Sequence, residues 1–154
     1  MEIMFEPLTA QNVDQARLLN AVLFPGLYQP RFYSEVSKSI GQVYDGFLVK
    51  QGSSTIGGII CRSDRDNGSC RLYIVTLGVL APYRREGLGR QLLKRIEELA
   101  SNHSALSLYL HVNIGNDEAV SFYTNSLFQI KERIPNYYRR TNPPDAFLLQ
   151  KDLM

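Results

Sequence analysis

The hydrophobic pattern of the chain changes its period at Pro82. Before this residue, short apolar segments are separated by turn residues such as Gly52-Ser53-Ser54 and Asn67-Gly68, a pattern typical of antiparallel strands. After it, apolar side chains recur every three to four residues on one face of an amphipathic helix, with charged side chains opposite. A strand meander that leads into a long helix predicts an α/β domain. The apolar helix face comprises Leu88, Leu92, Leu93, Ile96, Leu99 and Ala100.

The segments on either side extend this α/β pattern along the whole chain. Apolar alternation and turn residues predict strands over 3–8, 44–50, 55–62, 71–79, 106–112, 128–134 and 147–153. Capping residues and helical spacing predict helices that begin near Asn12, Arg31, Leu88 and Asn116. Leu127 is expected to complete the apolar stripe of the last helix. In the strand over 106–112, alternation assigns one face to Leu106, Leu108, Leu110 and Val112 and the other to Ser107, Tyr109 and His111.

Composition limits the classes of function. A chain of 154 residues with 44% hydrophobic and 21% charged residues is typical of one folded domain, here 1–154. The net charge of +2 is too small for a protein that binds nucleic acid by neutralising many phosphates. The longest uncharged apolar stretch, 72–83, is too short to span a membrane, and Glu2 and Glu6 replace the basic start of a signal peptide. We therefore expect no nucleic-acid or membrane partner and a cytoplasmic location, with the nucleus left open.

The residues that commonly bind metals are few and lack a paired spacing. Cys61, Cys70, His103 and His111 show none of the close pairs that structural zinc sites use. In a protein that is not exported, cysteines are expected to be reduced, buried thiols. The sequence therefore predicts no metal site.

A short basic and glycine-containing segment lies between a strand and the long helix. Residues 84–89 (RREGLG) can direct backbone N–H groups, arginine side chains and a helix N-terminus at a phosphate. The segment is not a P-loop, which ends in Gly-Lys-Ser/Thr, nor a dinucleotide fingerprint, which has a third glycine where Leu92 stands. The glycine pair alone is more often a tight turn with solvated arginines. The whole segment favours a pyrophosphate site.

Residues 79–89 (VLAPYRREGLG) resemble the acetyl-CoA segment of the GNAT acetyltransferases. Residues 71–78 (RLYIVTLG), 109–112 (YLHV), 136–138 (NYY) and 145–151 (DAFLLQK) are similar to the catalytic subunit of the NatE-type N-alpha-acetyltransferases. This resemblance implies the GNAT fold, a mixed, mostly antiparallel central sheet of about seven strands flanked by about four helices. It also implies acetyl-CoA as co-substrate and direct transfer of acetyl to the α-amine of nascent polypeptides, with Met followed by a hydrophobic residue as the preferred start.

The resemblance also implies a role for individual residues. Tyr73 and His111 would carry the amine proton through an ordered water, and Tyr123 would lie near the coenzyme sulfur. Without the resemblance, each is more often a packed, hydrogen-bonded residue. The implied coenzyme-binding residues are Leu77, Gly78, Val79, Arg84, Arg85, Gly87, Leu88, Gly89, Arg90, Asn116 and Tyr123. The implied peptide-binding residues are Phe24, Pro25, Gly26, Tyr28, Tyr73, Tyr137 and Tyr138.

The chain departs from the family pattern at a few positions, and other functions stay open. Gly26 and Thr141 replace bulkier apolar residues, which predicts a wider or more polar peptide pocket. Ser126-Leu127 lacks the glycine that usually ends the coenzyme-side helix. One alternative is acetylation of lysine or a small amine, and another is a weakly catalytic accessory subunit. The resemblance implies a NatA-type scaffold and its catalytic subunit at the ribosome as partners.

Overall fold

The computed structural model describes residues 2–153, so Met1 and Met154, the outer bounds of the expected domain, lie outside the described residues. It confirms seven strands and four α-helices in an α/β arrangement. A 3₁₀ turn, Ala81–Tyr83, joins the fourth strand to the third helix. The strands are β1 Ile3–Pro7, β2 Tyr44–Gln51, β3 Ser54–Asp66, β4 Ser69–Val79, β5 Ala105–Asn113, β6 Gln129–Ile134 and β7 Ala146–Asp152. The helices are α1 Val13–Leu23, α2 Pro30–Lys38, α3 Leu88–Asn102 and α4 Asp117–Asn125.

All seven strands form one sheet in the order β1-β2-β3-β4-β5-β7-β6. The first four strands are an antiparallel meander, as the sequence predicts. Asn67 and Gly68 both have positive φ, at 51° and 82°, which is the geometry that a two-residue hairpin between β3 and β4 requires. The pair β4 and β5 is parallel and is joined through α3, whereas β5, β7 and β6 pair antiparallel. No helix within residues 2–153 has both the length and the apolarity to span a membrane.

The sheet is covered by helices on both faces, and each face has its own hydrophobic core. On one face, α3 and α4 bury side chains that include Leu92, Ile96 and Tyr123 against the sheet. On the other face, α1 and α2 bury Val13 and Val36 against it. Neighbouring residues of one strand contribute to opposite cores because side chains alternate along a strand. Tyr73, between two residues of the α3 core, therefore faces the α1 and α2 side.

The parallel strands β4 and β5 pair over only part of their length. Their last paired residues are Tyr73 and Tyr109. Beyond that point β4 continues to Val79 along β3, and β5 continues to Asn113 along β7. The two strands separate, and the backbone of each loses its neighbour in the middle of the sheet. The separation leaves a gap in the sheet that the end of β4 borders on one side and the end of β5 on the other.

The alternation predicted for the strand over 106–112 is wrong at its start. Leu106 is 46% exposed, and Ser107 is buried at 2%. The reason is a bulge: Cys70 pairs with Ala105, but Leu72 pairs with Leu108, so β5 has one extra residue there. From Leu108 onward the predicted faces are confirmed, with Leu108, Leu110 and Val112 buried.

The expectation that Leu127 belongs to the apolar stripe of the last helix is also wrong. The helix α4 ends at Asn125, and Leu127 is 74% exposed. Leu127 has a φ of 72°, the left-handed conformation that glycine usually supplies after a helix. The turn is closed by hydrogen bonds from Ser126 N to Phe122 O and from Phe128 N to Tyr123 O. The helix therefore ends in the usual way, with leucine in a strained backbone conformation.

The bulge in β5 leads to a stability test. Leu108→Ala removes a fully buried side chain and should lower the free energy of unfolding by about 2–5 kcal/mol. Leu106→Ala removes an exposed one and should change it by only about 0.5 kcal/mol. Urea denaturation of both variants measures the difference. Equal losses would show that β5 keeps regular alternation from its first residue.

Candidate active site

A cleft of about 770 Å³ lies where β4 leaves β5, between the end of β4, the 84–87 loop and the first turns of α3 and α4. All eleven residues that the sequence predicts for coenzyme binding line it. Sequence reasoning missed five further residues that line the cleft. These five are Leu23, Tyr83, Glu118, Ala119 and Phe122.

The loop before α3 has an unusual backbone that suits an anion. Arg85 and Gly87 are both left-handed, with φ of 66° and 79°. Gly87 directly precedes α3, so the unpaired N–H groups and the positive end of the helix dipole face the cleft. The Arg84 side chain donates from Nε to the Val79 carbonyl oxygen at 2.8 Å, which ties the loop to the end of β4. These features fit a phosphate group.

Two glycines let other elements approach the cleft closely. A Cβ at Gly78 would lie 2.6 Å from Leu23 Cδ1, so glycine allows the end of α1 to pack on β4. A Cβ at Gly89 would lie 3.2 Å from the Phe122 ring, so glycine allows α4 to pack on the start of α3. At Gly87 the space is open, and only the positive φ favours glycine there.

The structure brings Tyr73, His111 and Tyr137 together on the α1 and α2 side of the separation. Tyr73 Oη and His111 Nδ1 are 2.8 Å apart, close enough for a direct hydrogen bond without a water between them. Tyr137 Oη lies 3.3 Å from the same nitrogen, and its ring stacks on the imidazole at 4.4 Å and 17°. The direction of the Tyr73–His111 hydrogen bond depends on the imidazole tautomer. With the ring proton on Nε2, the Tyr73 hydroxyl donates to the lone pair of Nδ1.

Burial sets the protonation states of this pair. It lowers the pKa of His111 below its usual 6.5, an effect that the Glu132 carboxylate partly opposes. Burial also raises the pKa of Tyr73, and the neighbouring Tyr137 adds to the rise. At neutral pH the imidazole is therefore mostly neutral and the Tyr73 phenol is protonated. A neutral imidazole hydrogen-bonded to a phenol can accept a proton.

Aromatic side chains from the α1–α2 connection line the approach to this pair. Between Ile74 and Thr76, the pairing of β4 with β3 skips Val75, a bulge that leaves its carbonyl oxygen free. Tyr28 Oη donates to that oxygen at 3.1 Å, and the Tyr28 ring meets Phe24 edge-on. Burial raises the pKa of Tyr138 to about 12, and the nearby hydroxyls of Tyr137 and Tyr28 contribute.

Pro25 and Gly26, which are also predicted to bind the peptide, and Thr141 have other surroundings in the structure. Pro25 and Gly26 line a second, smaller pocket of about 210 Å³ between α1 and α2, and Phe24 borders both this pocket and the cleft. The Thr141 hydroxyl donates to the Pro143 carbonyl oxygen at 2.7 Å and accepts from Asn113 Nδ2 at 2.9 Å. Thr141 therefore holds the loop between β6 and β7 against β5.

Tyr123 and the cysteines are buried. Tyr123 is 6% exposed at the cleft wall, and burial raises the pKa of its phenol, which stays protonated. Cys61 and Cys70 are free thiols, and burial next to Asp45 raises the pKa of Cys61. A buried thiol with a raised pKa is a poor nucleophile, which argues against an acyl-cysteine route. Across residues 2–153, no three His, Cys, Asp or Glu side chains converge on a possible metal position.

This chain matches a known protein family and is similar to many known proteins, including the following three. The acetyltransferase (GNAT) family matches residues 14–127. N-alpha-acetyltransferase 50 of Danio rerio is 39% identical over 147 residues, 95% of this chain and 86% of that protein. The probable N-acetyltransferase san of Drosophila melanogaster is 37% identical over 95% of this chain and 78% of that protein. The solved structure of Arabidopsis thaliana Naa50 with the bisubstrate analogue CoA-Ac-MVNAL has a TM-score of 0.83 and 32% identity, over 98% of this chain and 99% of that chain.

The electrostatics of His111 can be measured without a substrate. We expect NMR titration of its ring to give a pKa below 6.5, and Glu132→Gln to lower that pKa further because it removes the opposing charge. His103→Asn assigns the signals, since the chain has two histidines. Glu98→Gln, which removes a charge from α3 on the other face, serves as the control. A pKa at or above 6.5 would contradict the burial argument.

Proposed function

Because the chain belongs to the GNAT acetyltransferase family, we propose that it transfers an acetyl group from acetyl-CoA to the α-amine of polypeptides. The preferred substrate begins with Met followed by a hydrophobic residue. The observation that carries this proposal is the hydrogen-bonded pair of Tyr73 and His111 at the separation of β4 and β5. The similarity to N-alpha-acetyltransferase 50 supports it. Residues 1–154 would act as one acetyltransferase domain.

The cleft residues hold the coenzyme. The left-handed 84–87 loop and the N-terminus of α3 bind the pyrophosphate, with the Arg85 and Arg90 side chains beside it. The backbone of Leu77, Gly78 and Val79, which has no partner on the β5 side, pairs with the extended pantetheine arm as a strand would. The bound thioester supplies the acetyl group. Tyr123, kept protonated by burial, donates to the departing sulfur.

Tyr73 and His111 provide a route for the amine proton. An α-amine has a pKa near about 8 and must lose a proton before or during attack. Tyr73 accepts that proton at Oη while its own proton moves to His111 Nδ1, so the phenol never becomes a free anion. The raised pKa of Tyr73 disfavours a free phenolate, which the coupled transfer avoids. The lowered pKa of His111 leaves the imidazole neutral at the start of the reaction, so Nδ1 has a lone pair to receive the proton. An ordered water between the amine and Tyr73 would serve the same route.

Aromatic rings form the peptide slot. Phe24 and Tyr28 stand on one side, and Tyr137 and Tyr138 stand on the other. The four rings enclose an apolar first side chain, and the tyrosine hydroxyl groups bind the peptide backbone. Gly26 has no atom within 4 Å of a Cβ position, so the smaller pocket that it lines with Pro25 and Phe24 stays open beside the slot.

Partner and location form part of the same proposal. We expect the protein to act in the cytoplasm, with the nucleus as a second location, beside a NatA-type scaffold and its catalytic subunit. The first helix supports contact with another protein, because Leu18 and Val22 lie one turn apart and are 56% and 69% exposed.

The coenzyme site predicts a loss of binding in Gly87→Val. A β-branched residue is strained at a φ of 79°, so the loop would shift and the affinity for acetyl-CoA should fall about tenfold or more. Gly68→Val is the matched control, because Gly68 has a φ of 82° and open space around it in a distant hairpin. Calorimetry measures both. An unchanged affinity for acetyl-CoA in Gly87→Val would show that the 84–87 loop does not bind the coenzyme.

The proton route predicts a loss of rate without a loss of binding. Tyr73→Phe and His111→Ala should each lower kcat by a factor on the order of a hundred or more. The affinity for acetyl-CoA should stay near that of the wild type. His103→Asn, which changes the other histidine, should keep its activity. Full activity in both site variants would require another base.

The peptide slot predicts graded specificity at the second residue. One methylene in an apolar pocket is worth about 1–3 kcal/mol, so Met-Leu, Met-Phe and Met-Ile peptides should react at graded rates, whereas Met-Asp and Met-Glu should react poorly. A peptide panel with acetyl-CoA measures this. Faster reaction of Ser-, Ala- or acidic-start peptides would reject the specificity. Acetylation of lysine in an N-terminally blocked peptide as the main activity would favour the lysine alternative.

A further inference from the structure

Tyr73 lies between two side chains on the neighbouring strands, and the three residues form one row across the sheet. Arg62 on β3 lies directly opposite Tyr73, and Tyr109 on β5 lies directly opposite it on the other side. The Arg62 guanidinium carbon is 4.8 Å from the centre of the Tyr73 ring. The Tyr109 ring meets the Tyr73 ring edge-on, with centroids 4.9 Å apart. This row is the last at which the backbones of β4 and β5 pair, and His111, two residues further along β5, contacts Tyr73 only through its side chain.

Both of these neighbours are held by the same carboxylate. Arg62 donates to Asp64 from Nε at 2.7 Å and from Nη2 at 3.1 Å, a two-point contact that fixes the plane of the guanidinium. Tyr109 Oη donates to Asp64 Oδ2. The Asp64 pKa is lowered by these hydrogen bonds in spite of partial burial, so the group is a carboxylate at neutral pH. Arg71, opposite Asp64, lies over the outer face of the Tyr109 ring at 4.2 Å.

We infer that Asp64 is a positioning residue for acetyl transfer, an inference that rests on the proposed function. Its carboxylate clamps Arg62 and Tyr109 against the Tyr73 ring and so keeps the Tyr73 hydroxyl directed at His111. A free arginine side chain samples many rotamers, and a clamped one does not. A rate that depends on a 2.8 Å contact falls steeply when the contact loosens.

The clamp also keeps a positive charge against the face of the Tyr73 ring. An arginine in this position interacts favourably with the ring electrons and so helps to hold the Tyr73 ring in place. Without Asp64, Arg62 would extend into solvent, since its side chain is already 39% exposed. Tyr73 would then lose both its lateral support and the neighbouring charge.

The test combines steady-state kinetics with NMR on the full chain. Asp64→Ala should lower kcat by about tenfold to a hundredfold, with KM for a Met-Leu peptide within about twofold of the wild type. Calorimetry with acetyl-CoA should give an unchanged affinity and an unchanged stoichiometry. Because only folded molecules bind, the stoichiometry shows that the variant is folded. Adding Tyr109→Phe to Asp64→Ala should lower kcat no further, because both act through one contact. The His111 ring signals should move in Asp64→Ala.

The control is Asp66→Ala, which removes the same charge from an exposed position two residues further along β3. It should change neither kcat nor the His111 signals. Unmoved His111 signals in Asp64→Ala, or a loss of rate equal to that of Asp66→Ala, would overturn the inference. A wild-type protein that acetylates no α-amine would overturn the proposed function, and the NMR comparison would still decide whether Asp64 positions the pair.

Discussion

The early end of pairing between β4 and β5 is the constraint on which the site depends. In a continuous parallel pair, the backbone groups of both strands would be used within the sheet. Here pairing stops at Tyr73 and Tyr109, so the end of β4 keeps free hydrogen-bonding groups beside a cleft of about 770 Å³. Residues of α3 and α4 line this cleft together with Leu23 and Phe24 at the end of α1. In the proposed function, an acyl group held on the α3 and α4 side would meet there an amine held on the α1 and α2 side.

The elements around the separation support it from both faces. On one face, α4 packs on the start of α3 because Gly89 admits the Phe122 ring, and this positions the loop with the left-handed Arg85 and Gly87. On the other face, the Val75 bulge gives Tyr28 an acceptor and fixes the aromatic approach. The chemistry follows from burial, which leaves the imidazole of His111 neutral and the phenol of Tyr73 protonated.

Much of this arrangement could be predicted from the sequence, because it depends on local patterns. The change of period at Pro82, the Asn67-Gly68 hairpin and the Asn116 cap each follow from the residues involved, and the resemblance supplied the cleft residues. The bulge that exposes Leu106 could not be predicted, because register depends on the partner strand. For the same reason the sequence showed no link between Tyr73, Arg62 and Asp64. Alternation gives the face of each residue, and only the register shows which ones meet.

The most direct test of the account is a crystal structure of the protein with a bisubstrate analogue that joins CoA to a Met-Leu peptide. The pantetheine arm is expected to lie along Leu77, Gly78 and Val79 within the separation. The α-nitrogen should then lie within hydrogen-bond reach of Tyr73 Oη, directly or through one water. An analogue bound outside the separation, or an α-nitrogen remote from Tyr73 and His111, would contradict it.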